Sequence, residues 1–250
     1  MKIHRVKTRL VNSYVVEYPN KILVVAVALK CHRQVLGYIE QELKRPVSDI
    51  ALAICTHDDP DHIGGLAELA LLSGAQQGIP YAAASPLRKW VNDPTGAVVR
   101  FGTGMREAFR ARSWQMYVNK ERDKRARELA HYAGDAPASL SGQEISKRLL
   151  LKHQRPLPEF PDWEVVHTPG HSWDSCCFYH AETGSLISGD TLLGSAKLGR
   201  LVVPSIYSNG RQTRSTLKRL AKYRISAVYP GHGSPQFGEN LLAEVKLTRG

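Results

Sequence analysis

The stretch THDDPDHIGG, residues 56–65, concentrates side chains that bind metals or transfer protons. Two histidines and three aspartates lie within positions 57–62, directly behind the apolar run DIALAIC. Carboxylates this close together repel one another and are costly to bury unless a positive charge lies among them. An acidic helix N-terminus would account for one or two of the aspartates but for neither histidine. Imidazole and carboxylate together are the ligands of transition metals, so the stretch indicates a metal site.

Three later strand ends carry the same kinds of side chain. His171 follows Pro-Gly after EVVHT, Asp190 follows the glycine of SLISG, and His232 follows Pro-Gly after AVY. A single histidine after a turn is usually an ordinary loop residue. Three repeats of an apolar strand, a glycine and then His or Asp strengthen the prediction of a metal site at strand ends.

The segments that must position these residues predict a layered α/β fold. NSYVVEYPNKILVVAVAL predicts a hairpin, HRQVLGYIEQELKR an amphipathic helix, DIALAIC a buried strand, GLAELALLSG a helix and IPYAAA a short strand. Further strands are predicted in WEVVHT, CCFYHAETGSLISGD, RLVVPSI and ISAVYPGHG, with a basic helix in RQTRSTLKRLAKYR. This order indicates two sheets face to face with helices outside.

The region between the two strand-rich parts is basic and helical in character. MREAFRARSWQMYVNKERDKRARELAHYA and QEISKRLLLKHQR predict helices joined by the loop GDAPASLSG. Residues 85–155 hold 15 Lys/Arg against 7 Asp/Glu, within a chain of formal net charge +11. This excess predicts an anionic substrate or partner, although a solvated basic face is the commoner outcome. We predict a single domain over residues 1–250 with a helical insertion at about 85–160.

Composition indicates a soluble globular protein, with 42% hydrophobic and 23% charged residues. The four cysteines form no CxxC pair, which predicts reduced core residues and a cytoplasmic location. ILVVAVAL is too short for a membrane span and lies too far along the chain for a signal peptide. The histidines without a partner motif are predicted to be structural or exposed: His4, His32, His131, His153, His167 and His180.

The motif His57-Asp58-Asp59-Pro60-Asp61-His62, followed by two glycines, resembles the first motif of the metallo-β-lactamase fold superfamily. The later strand ends resemble its glyoxalase II and lactonase branch. The resemblance covers residues 11–84 and 162–235 and leaves the helical segment between them unmatched. It implies a four-layer αββα sandwich of two mixed β-sheets flanked by helices.

The resemblance also implies a dinuclear site with two divalent metal ions per chain, zinc being expected and manganese or iron the alternatives. The implied ligands of one ion are His57, Asp59 and His171. Those of the other are Asp61, His62 and His232, and Asp190 bridges both ions. Such a pair activates a bridging hydroxide for hydrolysis.

Further roles are implied for residues beside these ligands. Asp61 would also orient the hydroxide as a catalytic residue, and Thr56 would support the ligands from behind. The residues expected to support the site or to line its pocket are His167, Trp173 and Asp174.

Two features of the sequence depart from the family pattern. Asp59 stands where relatives usually have a second histidine, and Ala26 and Ala28 stand where they commonly have Asp and Gly. A third carboxylate makes the set of ligands harder in the sense of hard and soft donors, and this predicts better activity with manganese or iron. The alternative is that Asp59 replaces the histidine as a zinc ligand without changing the metal. The effect of Ala26 and Ala28 on activity stays open.

The leading functional hypothesis is a hydrolase that cleaves an ester, thioester or lactone bond in an anionic small molecule. A phosphodiesterase or nuclease is the alternative, because the basic insertion could contact phosphates of nucleic acid. The scattered aromatic residues of the insertion disfavour base stacking. A non-catalytic metal-binding protein is a third hypothesis. The insertion is expected to cap the metal site or, alternatively, to form a homodimer interface.

Overall fold

The computed structural model describes residues 1–8, 11–110, 124, 127–128, 131–134 and 148–245. The chain divides into two compact units, each assembled from two stretches of sequence. The first unit comprises residues 1–79 and 119–150, and the second comprises residues 80–118 and 151–250.

The first unit is built on a mixed sheet of six strands. These are β1 (Lys2–Lys7), β2 (Asn12–Glu17), β3 (Ile22–Val25), β4 (Ile50–Ile54), β5 (Gln76–Pro80) and β6 (Leu149–Leu151). They lie side by side in chain order, antiparallel from β1 to β3 and parallel from β3 to β5. The carboxyl end of β4 therefore delivers the 56–65 stretch to one edge of this sheet.

Helices cover this sheet through a shared apolar core. They are α1 (His32–Gly37), α2 (Pro60–Ile63) and α3 (Leu66–Ser73), with a π-helical turn at Tyr38–Glu42 and a 3-10 turn at Val47–Asp49. Leu36 of α1 and Leu66 of α3 belong to the same buried cluster as Val24 of β3. Burial of these apolar side chains is the main force that holds the helices on the sheet.

The sequence-based expectations for this unit are largely confirmed. The predicted hairpin forms, with Glu17 opposite Ile22 across the turn. The predicted amphipathic helix forms as α1 and the π-helical turn, whose change of hydrogen bonding the apolar periodicity did not reveal. The short strand expected at IPYAAA is shifted: β5 ends at Pro80, and Tyr81–Ala84 form a 3-10 turn.

The second unit contains another mixed six-stranded sheet and a small two-stranded one. Its strands are β7 (Pro156–Leu157), β8 (Phe160–His167), β9 (Cys176–His180), β10 (Ser185–Gly189), β11 (Leu193–Ser195), β12 (Arg200–Val202), β13 (Ala227–Pro230) and β14 (Gln236–Phe237). The large sheet has the order β14-β13-β10-β9-β8-β7, and β11 pairs with β12. Only β10 and β13 are parallel among these pairs. The hairpin predicted through Thr183-Gly184 is confirmed as β9 and β10.

Three helices belong to the described part of the second unit: α4 (Pro86–Asn92), α5 (Gly96–Ala108) and α6 (Gly210–Leu220). Ser85 caps α4 by accepting from the Arg88 N–H, and Asn209 caps α6 by accepting from two N–H groups of its first turn. Leu220 of α6 packs in one cluster with Leu186 of β10. The helix predicted from RQTRSTLKRLAKYR is thus confirmed.

The described part of the expected insertion contains the helices α4 and α5, but one predicted helix is wrong. QEISKRLLLKHQR was expected to be helical, whereas Leu149–Leu151 form strand β6. A short apolar run fits a strand or a helix equally well. Pairing at the edge of the sheet made this run a strand. Most of the longer basic helix prediction and the loop GDAPASLSG fall outside the described residues.

All four cysteines are buried thiols, as the sequence predicted. Burial is also the main cause that raises the pKa of Cys177 to about 11. Of the helices in the described ranges, none has the length and apolar character needed to span a bilayer.

Candidate metal centre

The first set of candidate ligands lies on the turn that follows β4. Asp59 adopts an extended conformation, with φ −73° and ψ 143°, as the residue before a proline prefers. Pro60 then begins α2 at a position where its missing N–H costs nothing. The sequence Asp-Pro thereby turns the chain so that Asp59 precedes the helix while Asp61 and His62 lie within it.

Imidazole nitrogens and carboxylate oxygens face each other within this set. Nε2 of His57 lies 3.2 Å from Oδ2 of Asp59, and Nε2 of His62 lies 3.9 Å from Oδ2 of Asp61. Both histidines are fully buried, and their ring centroids are 4.2 Å apart. Two buried imidazoles, each beside a carboxylate, form a donor set of the kind that divalent transition metals take.

Thr56 lies behind both histidines, as predicted. Its hydroxyl oxygen is 3.0 Å from Nδ1 of His57 and 3.5 Å from Nδ1 of His62. A hydroxyl oxygen has two lone pairs and can accept from both Nδ1–H groups. That tautomer leaves the Nε2 lone pair of each ring for a metal ion.

Two glycines hold this turn against the chain that leaves β3. A Cβ at Gly65 would lie 2.5 Å from the carbonyl oxygen of Ala28, and one at Gly64 would lie 2.9 Å from Cβ of Leu29. The Val27 N–H donates to the His62 carbonyl at 2.8 Å, and the Gly65 N–H donates to the Val27 carbonyl at 2.9 Å. The Gly-Gly of the motif is therefore required for close backbone packing.

Ala26, one of the two departures from the family pattern, lies beside this contact. Its φ is +62°, a left-handed conformation that alanine adopts at a cost of roughly 1–3 kcal/mol. Its N–H donates to the Ile54 carbonyl at 2.8 Å, which extends the pairing of β3 with β4. The strand predicted over ILVVAVAL therefore ends at Val25, and the chain changes direction at Ala26 before it contacts the motif.

The second set of candidate ligands lies at strand ends of the other unit. Asp190 directly follows β10, and His232 follows β13 by two residues. Because β10 and β13 are parallel neighbours, both side chains emerge at the same edge of the sheet. His171 lies in the loop 168–175 between β8 and β9.

Asp190 lies between the two imidazoles of this set. Its Oδ2 is 3.4 Å from Nε2 of His232 and 3.8 Å from Nε2 of His171. The Nδ1–H of His171 donates to the Ile206 carbonyl at 2.8 Å, which leaves its Nε2 as the lone-pair nitrogen. The structure thus brings the Asp190 carboxylate within 4 Å of both imidazole Nε2 atoms.

Arg100 of α5 is a residue at this site that the sequence did not reveal. Its Nη2 donates to Nε2 of His171 at 3.2 Å. The rest of α5 is fixed nearby, because Thr103 Oγ1 donates to the Tyr207 carbonyl and Arg106 donates to the Ser205 carbonyl. The basic composition of the insertion was the only signal, and it could not single out one arginine.

The other predicted pocket residues lie on the same loop or at its start. Nε2–H of His167 donates to the Trp173 carbonyl at 2.6 Å, and burial is the main cause that lowers the pKa of His167. Asp174 is fully buried, with Nζ of Lys89 3.2 Å from its Oδ1. His167 and Trp173 line a cavity, whereas Asp174 forms an ion pair with α4.

Seven residues offer ligand atoms of the kinds that could hold metal ions: His57, Asp59, Asp61, His62, His171, Asp190 and His232. These are the residues that the sequence nominated. Other histidines serve structural pairs, as predicted for His180, whose Nε2 lies 3.0 Å from the Asp162 carboxylate.

Known proteins share this sequence pattern over parts of their length. The chain is 30% identical over 122 residues to the atrochrysone carboxyl ACP thioesterase of Aspergillus fumigatus, covering 42% of this chain and 27% of that protein. It is 25% identical over 92 residues to a Bacillus subtilis protein named "Probable metallo-hydrolase YqjP", covering 35% of this chain and 29% of that protein. The aligned parts thus span less than a third of either relative.

The fold is also found in a solved structure. The metallo-beta-lactamase family protein TTHA1429 from Thermus thermophilus superposes with a TM-score of 0.60 at 22% identity, covering 97% of this chain and 77% of that one. A sequence model of the metallo-beta-lactamase superfamily matches residues 6–232, a range that includes all seven candidate ligands. The chain, with its two mixed sheets flanked by helices, belongs to the metallo-beta-lactamase superfamily.

Proposed function

We propose that this protein is a metal-dependent hydrolase that cleaves an ester, thioester or lactone bond in an anionic small molecule. The observation that carries the proposal is the paired arrangement of imidazole Nε2 atoms and carboxylate oxygens at strand ends, 3.2–3.9 Å apart within each ligand set. The name of the thioesterase relative supports a thioester or a related acyl bond.

Two divalent ions are proposed, held as the family resemblance implies. One would take His57, Asp59 and His171, the other Asp61, His62 and His232, with Asp190 between them. Such ions supply an activated water and polarise the carbonyl group under attack. The hydrogen bonds of Thr56 and of the Ile206 carbonyl support this assignment, because a proton on Nδ1 of each of the three histidines leaves Nε2 with a lone pair for an ion.

The protein's own residues would orient the reactants. The side chain of Asp61 is 27% exposed, so its carboxylate can accept a hydrogen bond from the attacking hydroxide and orient it. Arg100 donates to Nε2 of His171, the nitrogen that an ion would occupy. With that nitrogen taken by an ion, the guanidinium would instead pair with a negative charge of the substrate. The contacts of α5 with residues 205–207 support the proposal that the insertion caps the site and supplies substrate contacts.

Metal content and a substrate panel test this proposal together. Elemental analysis after gentle purification should find close to two divalent ions per chain, and fewer in Asp190→Asn. A matched control is Asp162→Asn, which removes a carboxylate that pairs with a histidine outside the ligand sets. A metal-free protein that resists reconstitution would contradict the proposal.

Phosphodiester hydrolysis is the alternative activity, favoured by the third carboxylate at Asp59 and by the basic insertion. Chromogenic thioesters and lactones should be compared with bis-p-nitrophenyl phosphate under matched metals. Faster hydrolysis of the phosphodiester would indicate that the protein is a phosphodiesterase. Binding of metal without turnover of any of these compounds would favour a non-catalytic role.

We also propose a cellular location for the protein. Four buried thiols support a reducing compartment such as the cytoplasm. The competing role of the insertion helices, a homodimer interface, is tested by light scattering of the purified chain.

A further inference from the structure

The second unit contains a cavity of about 240 Å³ beside the loop that carries His171. Four rings contribute to its wall, those of Tyr81, His153, His167 and Trp173, together with the aliphatic Leu151 and Val165. Its volume is below the roughly 300–1,000 Å³ typical of pockets for drug-sized ligands. It has room for one ring or a short chain.

Two of the rings in this wall, those of His167 and Trp173, are held against each other. The ring of Trp173 meets that of His167 edge to face, with centroids 4.9 Å apart and an interplanar angle of 83°. The hydrogen bond from His167 to the Trp173 carbonyl ties the same two residues together. Rigid, flat walls of this kind favour a flat apolar ligand, because little side-chain freedom is lost on binding.

Two positive side chains lie beside Tyr81, one of the rings in the cavity wall. The guanidinium carbon of Arg88 is 4.3 Å from the ring centroid of Tyr81, and Nζ of Lys152 is 5.6 Å from the same centroid. Of the described residues that line the cavity, none is acidic. Arg88 is also exposed, so its N–H groups can reach a ligand carboxylate without being withdrawn from a buried ion pair.

We propose that this cavity binds the acyl part of the substrate, and that this part is a single flat ring or short unsaturated chain bearing a carboxylate. The flat group lies among the rings of Tyr81, His167 and Trp173, and the carboxylate pairs with Arg88. Trp173 is two residues from His171 on one short loop, which links the cavity to the candidate ligands. The proposal rests on the hydrolase function proposed above and narrows its substrate class.

Calorimetric titration of the purified full-length protein with three probes tests the proposal without requiring turnover. Phenylacetate carries both the ring and the carboxylate, acetate lacks the ring, and phenylacetamide lacks the charge. We expect phenylacetate to bind about tenfold or more tightly than either, since each missing part removes apolar burial or a charged hydrogen bond. Acetate also reports any binding of a carboxylate to metal ions.

Variants locate the binding. Arg88→Gln should weaken phenylacetate binding about tenfold or more, and Ala82→Phe should do the same by filling the cavity. Arg214→Gln on the exposed side of α6 changes net charge equally and should leave the affinity unchanged. Equal affinities of phenylacetate and acetate would contradict the proposal that this cavity binds the acyl part of the substrate. Equal effects of the two arginine variants would contradict it as well.

The two proposals fail separately in these experiments. If the binding pattern holds but no ester, thioester or lactone is hydrolysed, the cavity is an aryl-carboxylate site and the hydrolase proposal fails. If hydrolysis occurs but the binding pattern is absent, the hydrolase stands and the cavity does not select its substrate.

Discussion

Replacing Gly170 with alanine should destabilise the protein strongly, because two independent penalties meet at the residue before His171. Gly170 has φ +147°, a conformation that side-chain-bearing residues rarely adopt, at a cost of roughly 1–3 kcal/mol. A Cβ would also lie 2.4 Å from Oγ1 of Thr213 and 2.8 Å from its backbone N and Cα atoms. Overpacking of this kind costs about 1–3 kcal/mol. We expect Gly170→Ala to lower the free energy of unfolding by about 2–6 kcal/mol in total.

The loop has no easy way to move aside. The Gly170 carbonyl accepts from the backbone N–H of Ser208 at 2.9 Å and from that of Asn209 at 3.0 Å. These bonds attach it to the residues directly before α6, next to the first turn that supplies Thr213. Relief of the clash would therefore break them and displace His171 as well.

Urea unfolding followed by tryptophan fluorescence measures this loss, and two other glycines serve as controls. Gly199 has φ +62° with no atom within 4 Å of a Cβ, so Gly199→Ala isolates the backbone penalty at roughly 1–2 kcal/mol. Gly102 lies in α5 with the same open surroundings, and Gly102→Ala should stabilise by about 0.5–1 kcal/mol.

A double variant separates side-chain from backbone crowding. Thr213→Ala removes Oγ1 but leaves the two backbone atoms at 2.8 Å, so it should not rescue Gly170→Ala. The steric reasoning is refuted if Gly170→Ala costs no more than Gly199→Ala, or if the Thr213→Ala background restores full stability.

Three further predictions concern charge. Lys89→Met removes the cation that faces the buried Asp174 carboxylate and should lower the free energy of unfolding by about 1–3 kcal/mol. This is less than for a fully buried pair, because the Lys89 side chain is 38% exposed. An unchanged midpoint of urea unfolding would contradict this. Burial, then the hydrogen bond to Glu164, raises the pKa of Tyr223 from 10.0 to about 12. Between pH 10 and 12 the folded protein therefore keeps the Tyr223 proton that the unfolded chain loses, and the free energy of unfolding should fall as the pH rises. Tyr223→Phe should make this fall smaller. Asp59→His should shift the preferred metal from manganese or iron towards zinc in metal-swap kinetics; equal zinc preference of both proteins would refute the role given to Asp59.

The positions of the candidate ligands could be predicted because each follows an apolar strand. The runs before Asp190 and His232 are short, β-rich and interrupted by glycine, so their ends are visible in the sequence. The hairpin of β2 and β3 was predictable for the same reason. Which ligands share a metal came from the family resemblance, since spacing along the chain does not give distances between strands.

What the sequence could not show depends on tertiary packing. The run LLL at 149–151 carries no period that separates helix from strand, and an available sheet edge made it β6. Arg100 differs from the other arginines of the insertion only in the place where α5 lies. The ring cavity gathers Tyr81, His153 and Trp173 from distant segments, and no local pattern connects them.

The parallel pairing of β10 with β13 has a consequence for the order of folding. The chain between them, residues 190–226, passes through β11, β12 and α6 before β13 can join the sheet. Closing so long a loop is slow, and non-local pairings of this kind form late on the folding pathway. Asp190 and His232 flank that closure, so their pairing at 3.4 Å exists only once the sheet is complete. We therefore expect metal binding during refolding to occur later than helix formation. A bound metal ion would then distinguish fully folded chains from partly folded ones.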